Sequence, residues 1–130
     1  MLMRNDLLDV MADAVSSALG CEVLTSLADA HERPESVSLA VGVPEAPTAY
    51  FDFEQSVKVR VTCYVRRFSE EAAKADAADA ERAVRLSALE SANGSYEIRK
   101  HETTRPGPLP WDQSGRYVWF FETTIEYKEA

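Results

Sequence analysis

QSVKVRVTCYVRRFSEEAAKADAADAERAVRL, residues 55–86, changes its period halfway along. Up to Arg66 the period is two. Val57, Val59, Val61, Cys63 and Val65 point one way, and Lys58, Arg60, Thr62, Tyr64 and Arg66 point the other. Residues 56–66 therefore form a half-buried strand, longer than the usual ~5–6 residues. Strands of this length often run beyond their own domain's core, toward a partner. From Ser69 onward the period is helical. Ser69 is a good N-cap, and Glu70 and Glu71 fall in the first turn, where the positive helix end favours acids. Glu70–Lys74 and Glu81–Arg85 stand at i,i+4 with the acid first, the favoured order. The pattern predicts a helix running to about Leu89 or Ser91 and stopping at Asn93-Gly94. Its apolar stripe is Ala73, Ala77, Ala80, Val84 and Ala88, small side chains that let it lie close to a sheet or another helix. Leu86 and Leu89 stand off that stripe, as core edges in the plainer reading or as contacts for another subunit in the other.

Before the long strand, the first helix is expected over roughly 5–19. Asn5 caps it, Asp6 is its first residue, and Leu7, Leu8, Met11, Val15, Ala18 and Leu19 share one face. Asp6, Asp9 and Asp13 share the other, and Gly20 is placed for a left-handed stop. CEVLTSL, at 21–27, has the makings of a short strand, and ADAHERPES reads as an exposed loop. Val37, Leu39 and Val41 alternate with Ser36, Ser38 and Ala40 in a second half-buried strand. TAYFDFEQ alternates again, Tyr50 and Asp52 against Phe51 and Phe53.

The C-terminal part reads as a hairpin. SYEIRKHETT and RYVWFFETTIEY are its arms, and a long loop with three prolines and two glycines spans about 104–115. In the last strand Trp119, Phe121, Thr123, Ile125 and Tyr127 form one face, and Val118, Phe120, Glu122, Thr124 and Glu126 form the other. Aromatic residues on both faces near its start imply cover on both sides there. The whole is an α+β domain: a mostly antiparallel sheet of four to five strands with two helices on one face, in the order α-β-β-α-β-β.

Composition narrows the function. With 130 residues, one domain spanning 1–130 is expected. The net charge is −8, from 22 acidic and 14 basic side chains, which speaks against a tight nucleic-acid binder. The acids concentrate early: residues 1–65 hold 10 against 4 bases, and residues 66–130 hold 12 against 10. No apolar run approaches the ~20 residues of a membrane helix, so no membrane partner is expected. MLMRNDLLDVM has aspartates within its apolar stretch and does not read as a signal peptide, which makes the cytoplasm the default location at synthesis.

Motifs for chemistry are missing. His31 and His101 stand alone and read as exposed loop histidines. Cys21 and Cys63 have no CxxC partner and read as buried free thiols. There is no GxSxG, GxGxxG or P-loop, so no cofactor, metal or catalytic residue is expected. The segment DQSGRY, 112–117, has the chemistry of a turn: Asp112 and Ser114 form turns, and Gly115 takes unusual backbone angles. Trp111 beside Arg116 and Tyr117 leaves three readings open: a Trp folded back on the domain, a protein interface, or a small-molecule site.

The order of these parts resembles the minor capsid, or tail terminator, proteins of long-tailed bacteriophages and prophages. The resemblance rests on the amphipathic first helix, PESVSLAVG, the strand FEQSVKVRVTCYVRRFS leading into EEAAKADAADAERA, and the D-x-x-G-R-Y segment (Asp112, Gly115, Arg116, Tyr117) before VWFFETTIEY. It covers most of the chain. The RPGPLPW loop departs from the pattern in length, so family contacts there do not transfer.

The resemblance implies a structural role and no enzyme activity. Family members form a ring, a homohexamer, that caps the tail tube and meets the head connector while DNA passes through the lumen without specific binding. An acidic chain is compatible with such a channel. The implied partners are further copies of itself, the tail-tube protein and the head-connector protein. The implied location is the head–tail junction of the virion, with assembly in the host cytoplasm. Lys58, Arg60, Arg66, Trp111, Asp112, Arg116 and Tyr117 are the expected inter-subunit or tail-tube contacts. Arg116→Glu is expected to spare folding and impair assembly. Two alternatives stay open: another head–tail connector or neck protein, and a small α+β ligand-binding domain or enzyme using the 104–117 loop.

Overall fold

The computed structural model describes residues 6–27, 33–42, 48–49, 55–109 and 117–129. Helix α1, Leu7–Leu19, is followed by strands β1 (Val23–Leu24), β2 (Ser36–Val41), β3 (Thr48–Ala49) and β4 (Gln55–Arg67). Helix α2, Glu70–Leu86, leads to β5 (Tyr96–Thr103), β6 (Gly107–Pro108) and β7 (Tyr117–Glu129). The sheet order is β1-β2-β4-β7-β5, with β3 paired to β4 and β6 paired to β7.

β4 and β7 are the spine. Each has 13 residues, roughly 40 Å of extended chain, and they pair antiparallel from Val57↔Tyr127 to Arg67↔Tyr117. The register puts Val59, Val61, Cys63 and Val65 beside Ile125, Thr123, Phe121 and Trp119 on one face. On that face lie both helices. Leu7, Met11 and Val15 of α1, and Ala77, Ala80 and Val84 of α2, join the strand residues in one apolar core with Val37 and Leu39. Each large side chain fully buried there contributes about 1.5–3 kcal/mol.

The α+β class and the two-helix layer agree with expectation, while the sheet differs in two ways. It is mixed, because β1 pairs parallel to β2. It also has two-residue strands, β3 and β6, that the simple order omits. The short strand expected near 21–27 is β1.

The expected hairpin loop is shorter than 104–115. Thr104 donates its N–H to the Glu122 carbonyl at 2.9 Å, and Leu109 donates to the Val118 carbonyl at 2.9 Å. Between them Gly107 and Pro108 lie opposite Phe120 and Trp119. An outer strand tolerates prolines because their missing N–H groups can face away from the sheet.

Helix ends show the other differences. Asp6, not Asn5, is the cap position of α1, and its side chain makes no capping bond; Asn5 lies outside the described residues. Gly20 closes α1 as expected, at φ 67° with its N–H on the Ser16 carbonyl at 2.8 Å. Ser69 caps α2 through the Ala72 N–H at 3.4 Å. That helix stops at Leu86, short of the expected 89–91. Leu89 takes φ 53°, which turns its side chain into the core at 1% exposure. The Ser87 hydroxyl accepts the Leu89 N–H at 3.1 Å, and the Tyr96 hydroxyl donates to the Leu89 carbonyl at 2.6 Å. Burying one large side chain and satisfying both backbone groups outweighs continued helix. Leu89 is thus core, Leu86 is 66% exposed, and Ala88, expected on the buried stripe, faces solvent beyond the helix end.

Candidate functional site

The face of the sheet opposite the helices holds the charged half of β4. Register arranges it in rows. Lys58 stands opposite Glu126, which stands opposite Lys100, and Arg60, Thr124 and Glu102 form the next row. Lys58, Arg60 and Lys100 are exposed. Glu126 is buried and accepts a hydrogen bond from the Ser56 hydroxyl at 3.0 Å.

Farther along β4 this face turns apolar. Tyr64 and Phe120 are cross-strand neighbours with ring centroids 6.1 Å apart at 32°. Leu27, Ser36, Ser38, Tyr64, Arg66, Leu109 and Val118 line a groove of about 250 Å³ there. Its Leu109 wall exists because residues 104–109 pair along β7. Cover from that wall also explains why Val118 is buried, as the aromatic pattern of β7 implied. Ser36 and Ser38 are buried too, while Val41, expected inside, is 52% exposed near the end of its pairing with β4.

A second depression, about 170 Å³, opens at the end of β4 beside β1 and includes Cys21, Glu22, Arg33, Glu35 and Arg67. Arg67 bonds Asp76 of α2 through Nε at 2.9 Å and points Nη2 at the Cys21 sulfur at 3.8 Å. Burial disfavours the Arg67 cation, but Asp76 and then Cys21 outweigh it and hold Arg67 above its ordinary pKa. Burial, with a smaller contribution from Cys21, pushes the Cys63 thiol up to about 12, so it stays protonated and inert at neutral pH. Cys63 is buried as expected, whereas Cys21 is only half-buried. Among the described residues no group of three or more His, Cys, Asp or Glu is placed to hold a metal. His101 is on β5, half-buried, with Nε2 3.2 Å from the Val84 carbonyl, which corrects its reading as an exposed loop histidine. His31 lies outside the described residues.

The expected contact residues do not form one cluster. Lys58, Arg60 and Arg66 share the face opposite α1 and α2, with Arg66 half-buried at the groove. Tyr117 is opposite Arg67 in register and so belongs to the other face. Trp111, Asp112 and Arg116 lie outside the described residues. Sequence reasoning missed the groove. Its signal was Tyr64, an aromatic on the strand face otherwise read as polar. It also missed the contacts of Asp6, which joins the start of α1 to the Ser91–Ser95 turn. Its carboxylate accepts from the Ser91 hydroxyl at 2.6 Å, the Ala92 N–H at 2.9 Å, the Ser95 hydroxyl at 3.1 Å and the Asn93 N–H at 3.2 Å.

Among the described residues, this α+β fold carries exposed cations and one aromatic pair on the sheet face opposite the helices, with His101 against the Val84 carbonyl and the Cys63 thiol in the core. The chain belongs to the bacteriophage tail terminator family: the family model described as "Bacteriophage tail terminator protein" matches residues 1–129. It is accordingly a structural protein of the phage tail, of a family that works through contacts with other tail and head proteins. No curated protein matches the chain. Among the described residues, no helix is long and apolar enough to cross a membrane.

Proposed function

We propose that residues 1–130 form one tail terminator domain, and that six copies close into a ring on the end of the tail tube. The ring stops tube polymerisation and offers its far side to the head connector. DNA passes through the lumen without specific binding, the chain has no enzyme activity, and it works at the head–tail junction of the virion after assembly in the host cytoplasm. Contacts to the tube and between copies come from Lys58, Arg60 and Arg66 on β4 and from Trp111, Asp112, Arg116 and Tyr117.

The observation that supports this best is the sheet face opposite the helices, where exposed Lys58 and Arg60 are followed along β4 by the Tyr64–Phe120 pair and the groove that Tyr64 lines. Such a surface, apolar beside charged, suits burial against protein. A small-molecule role is less well supported. The groove holds about 250 Å³, below the roughly 300–1,000 Å³ usual for ligand sites.

Electron microscopy of the purified protein mixed with tail tubes tests the reading. A ring at one end of each tube, with elongation arrested, is the expected result. Binding to head connectors without capping tubes would make it a neck protein instead. No capping together with saturable small-molecule binding in the groove would favour the ligand reading.

A further inference from the structure

Charge is one-signed in two parts of this chain. Residues Asp6–Leu27 carry four acids and no lysine or arginine, while β4 carries four bases and no acid. On the outer face of α1, Asp9 and Asp13 are exposed one helical turn apart. On the open face of β4, Lys58 and Arg60 are exposed two residues apart. None of these four makes an ion pair among the described residues. Lys58 stands opposite Glu126, but that carboxylate is buried and engaged by Ser56. The spacings agree: i,i+4 positions on a helix are about 5–6 Å apart, and i,i+2 positions on a strand are roughly 7 Å apart. The next outward residues, Ser17 on α1 and Thr62 on β4, continue both stripes with hydroxyls.

Within one molecule these stripes lie on opposite sides of the sheet and cannot meet. We propose that the Asp9–Asp13 face of α1 docks on the Lys58–Arg60 stripe of a second copy of this chain. The contact joins two different surfaces, so it is head-to-tail and propagates until the rotation closes it into a ring. It rests on the ring reading above and names the surfaces that meet. The apolar groove lies alongside on β4, where the docked copy excludes water from Tyr64 and Phe120.

A charge swap tests it. Lys58→Glu/Arg60→Glu and Asp9→Lys/Asp13→Lys are each expected to fold, since all four side chains are exposed. Each alone faces like charge with like, and the concentration needed to cap tubes or self-associate rises on the order of tenfold or more. An equimolar mixture recovers capping, because alternating copies restore an attractive pair at every contact. Should Asp9→Lys/Asp13→Lys fail to fold, Asp9→Asn/Asp13→Asn replaces it, with weakened association that no longer responds to salt. Sedimentation and electron microscopy read the outcome. Wild-type rings with either variant capping normally, or with no recovery in the mixture, overturn the contact and leave the ring. Absence of a wild-type ring overturns both.

Discussion

Asp6 shows how much a single side chain can carry. Partial burial opposes its ionisation, but bonds from Ser91, Ala92, Ser95 and Asn93 outweigh this and hold it below the ordinary 3.8. Asp6→Ala is expected to cost about 1–2 kcal/mol at pH 7, measured by denaturant unfolding, because several donors lose their acceptor. A lowered native pKa stabilises the fold above the unfolded-chain value. That contribution is present above about pH 4 and disappears as pH falls through the native value, so wild type and Asp6→Ala should converge in strong acid. Thr123 is the opposite case. Its hydroxyl is fully buried with no hydrogen-bond partner among the described residues. Thr123→Val keeps the shape and removes the unpaired polar atom, so it should be neutral or stabilising by up to about 1 kcal/mol in thermal melts. Neither role was legible from sequence: Asp6 reads as an ordinary helix-start acid, and Thr123 as an ordinary strand residue.

At the scale of elements, period and size were readable where a segment depends on its own residues. The alternation of 57–65 gave the long strand and its buried face correctly, and the alanine stripe gave the buried face of α2. Ala73, Ala77, Ala80 and Val84 are fully buried, which lets α2 sit close to the sheet and to α1. Ala77→Leu should therefore lower stability by about 1–3 kcal/mol or more, seen as a reduced melting temperature, since no space receives the added carbons. Of the two i,i+4 pairs, Glu81–Arg85 forms at 3.0 Å, while the Lys74 ammonium stands 5.7 Å from the Trp119 ring centre. Glu81 also accepts the Thr103 hydroxyl at 3.1 Å, tying α2 to β5. The end of α2 was misjudged because Leu89 answers to Tyr96 and the core, not to its helical neighbours. The pairing of 104–109 was hidden because two prolines mark a loop locally, yet β7 offers them an open edge.

At the scale of the whole molecule, and among the described residues, the sheet separates a side closed by both helices from a side left open at Lys58, Arg60 and Lys100. Phe120 is half-buried on the open side beside Tyr64. Phe120→Ser should leave the helix-side core intact and the melting temperature nearly unchanged, while weakening tube capping; a large loss of stability would mark Phe120 as core instead. The sequence by itself determined the α+β class, the two helices, both long strands and the inward face of each. These follow from local periodicity and capping, which neighbouring residues fix. It also carried the family resemblance, through the order of those parts. Only the tertiary structure decided the parallel β1–β2 pair, the early end of α2, the Asp6 contacts across to the Ser91–Ser95 turn, and the split of Tyr117 from Lys58, Arg60 and Arg66. Each of these depends on groups beyond the segment's own period, whether another strand, a turn or the core, and the choice of partner leaves no periodic mark in the segment itself.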